Sequence, residues 1–428
     1  MRFLAYIITT FALLLPVATP ATAQYHESLT TANRLDKNRL SVADSVLHRY
    51  VAQGRATGAV GLVMQDGRVV YEEAVGWADR EAKRPMMTNT IFRIASQTKA
   101  ITSTALLMLV EEGRVNLSDP ISRWMPTFHE TTVAVQTDSG LTIQPAQRSI
   151  TVKDLLTHTS GISYGGEPFL NSTYTEKGLG YDESYGWYTA DKDEPICETM
   201  DRLGTLPFAA QPGSKWVYGY STDLLGCIVE RVSGLALDRY VEINITGPLG
   251  MDDTHFYLPP EKGDRLSVVY TPEKGSEKVV RAPDGPRGQG HYLVGPRRSF
   301  SGGAGLLSTA DDYALFLEMI RNGGSLDGRR YLAPHTVAVM TSNQVGELFF
   351  RDGMGFGLGF ETTEKIGANG FSSVETFGWS GAYGTDYEVD PREKLVIVLM
   401  IQVVPYHGSG IREAFESAVY QALVPTGD

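Results

Sequence analysis

Strand-forming sequence near both ends of the chain, with helix-forming sequence between, is the arrangement that most limits its fold. Residues 59–64 and 68–74 are apolar-rich runs around Asp66-Gly67, the strongest short-range signal of a β-hairpin. Strand patterns return in the final third, over 355–361, 383–389 and 395–404, with Asp390-Pro391 as a turn. The last run is too short to cross a bilayer as a helix and too rich in valine and isoleucine to favour one, so it reads as a buried strand. Helical spacing dominates the middle. Residues 96–112 place Ile101, Ala105, Met108 and Leu109 on one face and stop at Gly113; 151–159 stop at Gly161, 223–232 at Gly234, and 309–321 before Gly323-Gly324. Helices are also expected over 43–53 and 411–423. The two ends should therefore build one antiparallel sheet flanked by helices, an α+β arrangement within the broad α/β class, with a mainly helical region inserted at roughly 114–300. A site would lie where the insert meets the sheet.

The first residues predict a secretory signal: Met1-Arg2, an apolar run to Val17, and the small-residue site Ala21-Thr22-Ala23, with cleavage after Ala23. The run is shorter than the ~20 residues a spanning helix needs, and Pro16 interrupts it. The mature chain is expected to lack an integral membrane segment and to be periplasmic or secreted. Residues 24–40 read as a leader and 41–428 as the catalytic domain. A formal charge of −12 with both signs mixed along the chain excludes the basic face a nucleic-acid partner needs. The eight histidines give no His-x-x-x-His pair or Cys/His cluster, so no metal or other cofactor is expected. In an oxidising compartment Cys197 and Cys227 could form one bridge, but a chain this large does not need it to fold, and Cys227 sits in an apolar run where a free thiol behaves as a small buried hydrophobe, the reading favoured.

Ser96-Gln97-Thr98-Lys99 opens the first striped helix of the middle region. A serine hydroxyl is a weak nucleophile until a base takes its proton. At i, i+3 on a helix the lysine amine shares the serine's face. In a dry, cationic site its pKa would fall and the amine would serve as base. The plain alternative is an N-capping serine and a solvated lysine, and Ser-x-x-Lys alone does not separate the two.

Company at other positions does. Pro212-Gly213-Ser214-Lys215-Trp216-Val217-Tyr218 and Gly378-Trp379-Ser380-Gly381-Ala382, together with 155–161 and 302–310, resemble the penicillin-recognising serine hydrolases: class C β-lactamases, D-alanyl-D-alanine carboxypeptidases and family VIII carboxylesterases. The resemblance runs from about residue 41 to 424. It implies a β-lactamase/transpeptidase-like fold, Ser96 as nucleophile, Lys99 as proton acceptor, and Tyr218 as relay to the leaving group. It further implies an oxyanion hole from the backbone N–H groups of Ser96 and Ala382. A phenol beside an ammonium suits the relay, because the charge favours the phenolate.

Two departures bear on substrate. Tyr-x-Asn of the family is here Tyr218-Gly219-Tyr220, and Lys-Thr-Gly is Trp379-Ser380-Gly381, so the amide-holding asparagine and the carboxylate-meeting cation are both absent. Both changes resemble the esterase branch. Tyr220, Trp379, Ser380 and Gly381 are the expected substrate contacts, with Ser380 either bonding substrate or filling the strand edge. Residues 164–208, polar and rich in glycine and tyrosine, are either a lid or a surface excursion. His158 stays outside the mechanism. The string Gly161-Ile162-Ser163-Tyr164-Gly165 is read as a decoy, since a nucleophile elbow needs a strand before the serine and a helix after it. The expectation is cleavage of a small-molecule ester through an acyl-serine. An amide-cleaving member of the same superfamily is the alternative, and a non-catalytic binding or sensor homologue is the second.

Overall fold

Both ends of the chain contribute to one eight-stranded antiparallel sheet. In the computed structural model, which describes residues 34–137, 140–179, 192–276, 278–285, 288–406 and 408–424, the N-terminal part supplies β1 (Gly58–Gln65), β2 (Arg68–Asp79) and β3 (Arg84–Pro85). The C-terminal part supplies β4 (Met354–Phe356), β5 (Glu361–Thr363), β6 (Phe377–Ser380), β7 (Asp386–Asp390) and β8 (Leu395–Met400). Their order across the sheet is β4-β5-β6-β7-β8-β1-β2-β3, so the termini meet at the β8–β1 seam. The expected signal peptide, most of the leader and residues 180–191 of the 164–208 segment lie outside the described residues.

The seam explains why β1 and β8 are apolar without alternation. Val60 pairs with Met400 and Gln65 with Leu395. Val60, Leu62, Met64, Val396, Val398 and Met400 pack into the core shared with helices α2 (Thr98–Glu111), α3 (Ser221–Ser233) and α4 (Ala310–Arg321). Ala59, Val63, Leu395, Ile397 and Leu399 pack on the other face, against Leu47 of α1 (Lys37–Ala52) and Phe415 of α5 (Ile411–Tyr420). A strand covered by helices on both faces has no polar side to show.

Several boundaries differ from the sequence reading. Helix α1 starts six residues early, inside the expected leader, because the Asp36 side chain accepts from the N–H groups of Asn38 (2.8 Å) and Arg39 (3.1 Å), a cap worth about 1 kcal/mol. The run 355–361 is not one strand. Gly359, at φ +105°, turns the chain and the Gly357 N–H bonds Phe360 O at 2.7 Å, so β4 and β5 are two strands that pair antiparallel with each other. The expected strand from 383 begins only at Asp386, since 381–384 is a turn closed by Gly384 N–H to Gly381 O at 2.9 Å. The insert is not purely helical: Thr132–Thr137 and Gly140–Pro145 pair antiparallel, and Pro207–Phe208 joins them in parallel.

The favoured reading of Cys227 as a free buried thiol is corrected. Cys197, in the helix Ile196–Leu203, is bridged to Cys227 of α3, with 5.3 Å between their Cα atoms. The packing of those two helices, which local sequence does not encode, brings the thiols together. Among the described residues no helix is long and apolar enough to cross a membrane.

Candidate active site

Ser96 sits in a 3-10 turn (Ala95–Gln97) between the strand Phe92–Arg93 and α2. Ala95, at φ +44°, holds a left-handed conformation unfavourable for a residue with a Cβ, a strain of roughly 1–3 kcal/mol that recurs at functional sites. The turn is pinned on both sides: the Tyr313 hydroxyl donates to Gln97 O (2.8 Å), and the Leu306 N–H donates to Thr98 Oγ1 (3.0 Å). Ser96 is half-buried and Lys99, one turn along, is only 2% exposed.

The Lys99 ammonium donates to Gly303 O at 2.8 Å, Tyr164 Oη at 3.1 Å and Ser96 Oγ at 3.3 Å. It also lies 4.6 Å from the ring centre of Tyr218. A hydroxyl, an amine and a phenol separated by up to 122 positions (96 to 218) therefore converge. The expectation of a depressed lysine pKa is corrected. Burial disfavours the charge, but Tyr164, Tyr218 and the carboxyl of Asp223 outweigh it, and the group is held above its ordinary value. The site is dry without being cationic.

Tyr218 is set by an unusual bed. Val217 N–H bonds His158 O and Gly213 N–H bonds Thr159 O, both at 2.7 Å, so the 155–161 run carries the tyrosine segment on its back. His158 is buried, and burial with the nearby Lys99 charge pushes its pKa well below the usual value. As a neutral ring it packs 4.8 Å from the Tyr218 ring, a supporting position consistent with leaving it out of the chemistry. The Trp379 indole N–H donates to Tyr218 Oη at 3.1 Å. Trp216, Phe349 and Phe356 continue the aromatic wall, with Trp216 stacked on Tyr218 at 5.7 Å and Phe356 5.5 Å from Trp379.

Of the other expected contacts, Gly381 marks a close approach between the catalytic turn and the sheet edge. A Cβ there would lie 2.5 Å from Ile94 O and 2.2 Å from Thr385 Oγ1, so only glycine lets the β6 end reach the Ser96 turn. Ala382 follows, exposed, and no hydrogen bond among the described residues engages its N–H. Ser380 is half-buried and lines a cavity of about 470 Å³ between the sheet and α5. Tyr220 is a correction. It is fully buried behind Tyr164, ring centres 4.9 Å apart, and its hydroxyl donates to Leu179 O at 2.8 Å, so it ties down the chain at Leu179 and is not a substrate contact.

Sequence reasoning missed two groups. Tyr164 stood inside the decoy string; Ser163 itself is engaged locally, donating to Glu167 at 2.6 Å and accepting from Gly165 N–H, while its neighbour reaches Lys99. Burial raises the Tyr164 pKa even against the Lys99 charge. Asp223, a lone acid in the first turn of an apolar helix, is buried and accepts from Ser301 Oγ (2.5 Å) and Gly303 N–H (3.1 Å), fixing the carbonyl that holds Lys99. An acidic residue among leucines, and a tyrosine three positions past Gly161, were the only signals.

A two-ended antiparallel sheet with a serine at the head of a helix and a buried lysine one turn on defines a serine hydrolase of β-lactamase/transpeptidase-like architecture. The chain belongs to the Beta-lactamase family, whose model matches residues 43–421. It is 34% identical over 410 residues to esterase EstB of Burkholderia gladioli, covering 91% of this chain and 97% of that one. It is 29% identical over 406 residues to lovastatin esterase of Penicillium rubens, covering 88% and 98%. Among solved structures, EstCE1, described as a hydrolase with promiscuous acyltransferase activity, superposes with a TM-score of 0.77 at 27% identity, covering 90% of this chain and 99% of that one.

Proposed function

We propose that the protein cleaves carboxylic esters of small to medium size through an acyl-Ser96 intermediate. With one proton already lost from the Lys99–Tyr218 pair, Ser96 Oγ attacks the ester carbonyl and passes its proton to that pair. The tetrahedral oxyanion lies against the N–H groups of Ser96 and Ala382, where fixed donors act in a water-poor site. Collapse releases the alcohol, protonated by the same pair; water then attacks the acyl carbonyl and gives its proton to the pair, which returns it to Ser96 Oγ as the acid leaves.

One observation carries the choice of ester. Where the resemblance implies a cation for a substrate carboxylate, Trp379 presents an indole bonded to Tyr218. An aromatic surface meets uncharged acyl or alcohol groups and offers no counter-charge to a β-lactam or a peptide terminus. The esterase names of two relatives support this reading. The bridge between Cys197 and Cys227 supports an exported protein, since such bonds persist in oxidising compartments.

The test offers purified protein a chromogenic short-chain ester and a chromogenic cephalosporin, beside Ser96→Ala. Ester turnover that is lost in Ser96→Ala, with negligible lactam turnover, is the expected result. Dominant lactam turnover moves the protein to the amide-cleaving branch, and absence of both turnover and a Ser96 adduct makes it a binding homologue.

A further inference from the structure

The peptide group joining Gly381 to Ala382 has two ends with different duties. Its N–H belongs to Ala382, and its carbonyl oxygen is held from behind. That oxygen accepts from Gly384 N–H at 2.9 Å and from Arg412 Nη2 at 3.2 Å. Arg412, second residue of α5, also donates to Thr385 O at 3.3 Å and Gly384 O at 3.4 Å, so one guanidinium spans the whole 381–385 turn. The side chain is itself held: Asp386 Oδ1 is 3.5 Å from Nη1, and the guanidinium lies 4.1 Å over the Tyr406 ring. It is 16% exposed.

A trans peptide points its N–H opposite its C=O. Anchoring the Gly381 carbonyl on the α5 side therefore aims the Ala382 N–H away from that helix. A cation on the carbonyl also draws electron density along the amide, which strengthens its N–H as a donor, and places a positive charge behind the position where negative charge develops.

We infer that Arg412 is the positioning residue of the oxyanion hole, orienting and polarising the Gly381–Ala382 peptide from the carbonyl side. Among the described residues Arg412 bonds Gly381, Gly384, Thr385 and Asp386 and makes no hydrogen bond to Ser96. Its effect belongs to the step in which the carbonyl becomes an oxyanion, so it acts on kcat and leaves substrate binding nearly unchanged. The inference rests on the acyl-serine reading of the site.

The experiment compares the full-length parent with Arg412→Gln and Arg412→Lys. Each is acylated with a slowly deacylating cinnamoyl ester, and the acyl carbonyl stretch is read by difference infrared or Raman spectroscopy, beside kcat and KM for a short-chain nitrophenyl ester. For Arg412→Gln the expected outcome is about tenfold lower kcat, a KM within about twofold of the parent, and a carbonyl stretch at higher wavenumber, reporting a weaker oxyanion hole. Arg412→Lys, which restores the charge without the fork, should fall between them. An unmoved stretch in either folded variant, or a loss confined to KM, overturns the assignment. If Arg412→Gln does not fold, Arg412→Lys alone decides it by the same two readings. A parent that forms no acyl-Ser96 sinks the hydrolytic mechanism first and this inference with it; a parent that acylates while the stretch stays fixed sinks only the role of Arg412.

Discussion

The Trp379 indole N–H and the Tyr218 hydroxyl meet at 3.1 Å, joining the end of β6 to the segment that packs on the 155–161 run. The bond holds the phenol oxygen beside Lys99 and fills the place of a substrate-binding cation with an aromatic ring. Trp379→Phe keeps most of the ring and removes the donor. A fall in kcat of about 3- to 10-fold is expected, the worth of one neutral hydrogen bond, measured on a short-chain ester. Trp379→Lys should shift preference toward acyl donors bearing a carboxylate; an unchanged ratio of kcat/KM for neutral and anionic esters counts against the wall as the source of selectivity.

Lys99→Ala and Tyr218→Phe should each slow acylation by about 100-fold or more, the scale of lost proton transfer. Single-turnover rates with a chromogenic ester read this directly. Parent-like acylation in either variant removes that residue from the mechanism.

Tyr164→Phe should move the alkaline limb of the rate profile to lower pH. Tyr164 is one of the groups that hold the Lys99 ammonium above its ordinary pKa against burial. Removing its hydroxyl lets the amine lose its proton at lower pH. Profiles of kcat/KM against pH for parent and variant check the sign, and coincident profiles detach Tyr164 from Lys99.

The carboxylates under α5 make stability depend on pH. Burial, with neighbouring acids, raises Glu388 to about 8, and Asp386 and Glu416 are shifted the same way. Glu388 prefers its proton in the folded state, so its contribution is complete below about 4.5 and fades as pH rises through about 8. Tm should fall across that window, and Glu388→Gln should flatten the fall. A parent Tm that is level from pH 5 to 8 refutes this.

Opening the bridge by Cys227→Ser should cost about 3.6 kcal/mol, the scale for a loop with a sequence separation of 30, without abolishing ester turnover. Denaturant unfolding with and without the substitution measures it. Equal midpoints would show that helix packing alone holds the two segments together.

Some of this was legible along the chain. The hairpin at Asp66-Gly67 and the apolar seam of β1 and β8 announce themselves because turn chemistry and burial act on neighbouring residues. Ser96 and Lys99 did too, since one helical turn fixes their relation. Tyr220 misled, because a motif position does not say which way a side chain faces when its hydroxyl finds Leu179 O. Tyr164 and Asp223 were silent, as a tyrosine near a turn and an acid in a first turn have ordinary local explanations.

The sequence by itself determined a two-ended antiparallel sheet, a helical insert, and a serine, a lysine and a tyrosine in motifs suited to acyl transfer. The sheet and the insert are written in spacing, turn residues and apolar runs, which act over a few positions, and the roles of the three motif residues are what the family resemblance implies. Tertiary structure alone decided that Lys99 is held as an ammonium among Tyr164, Tyr218 and Asp223, that Cys197 meets Cys227, and that Arg412 reaches the Gly381 carbonyl. Each of these depends on the field and contacts of groups distant in the chain, which exist only once the helices have packed on the sheet.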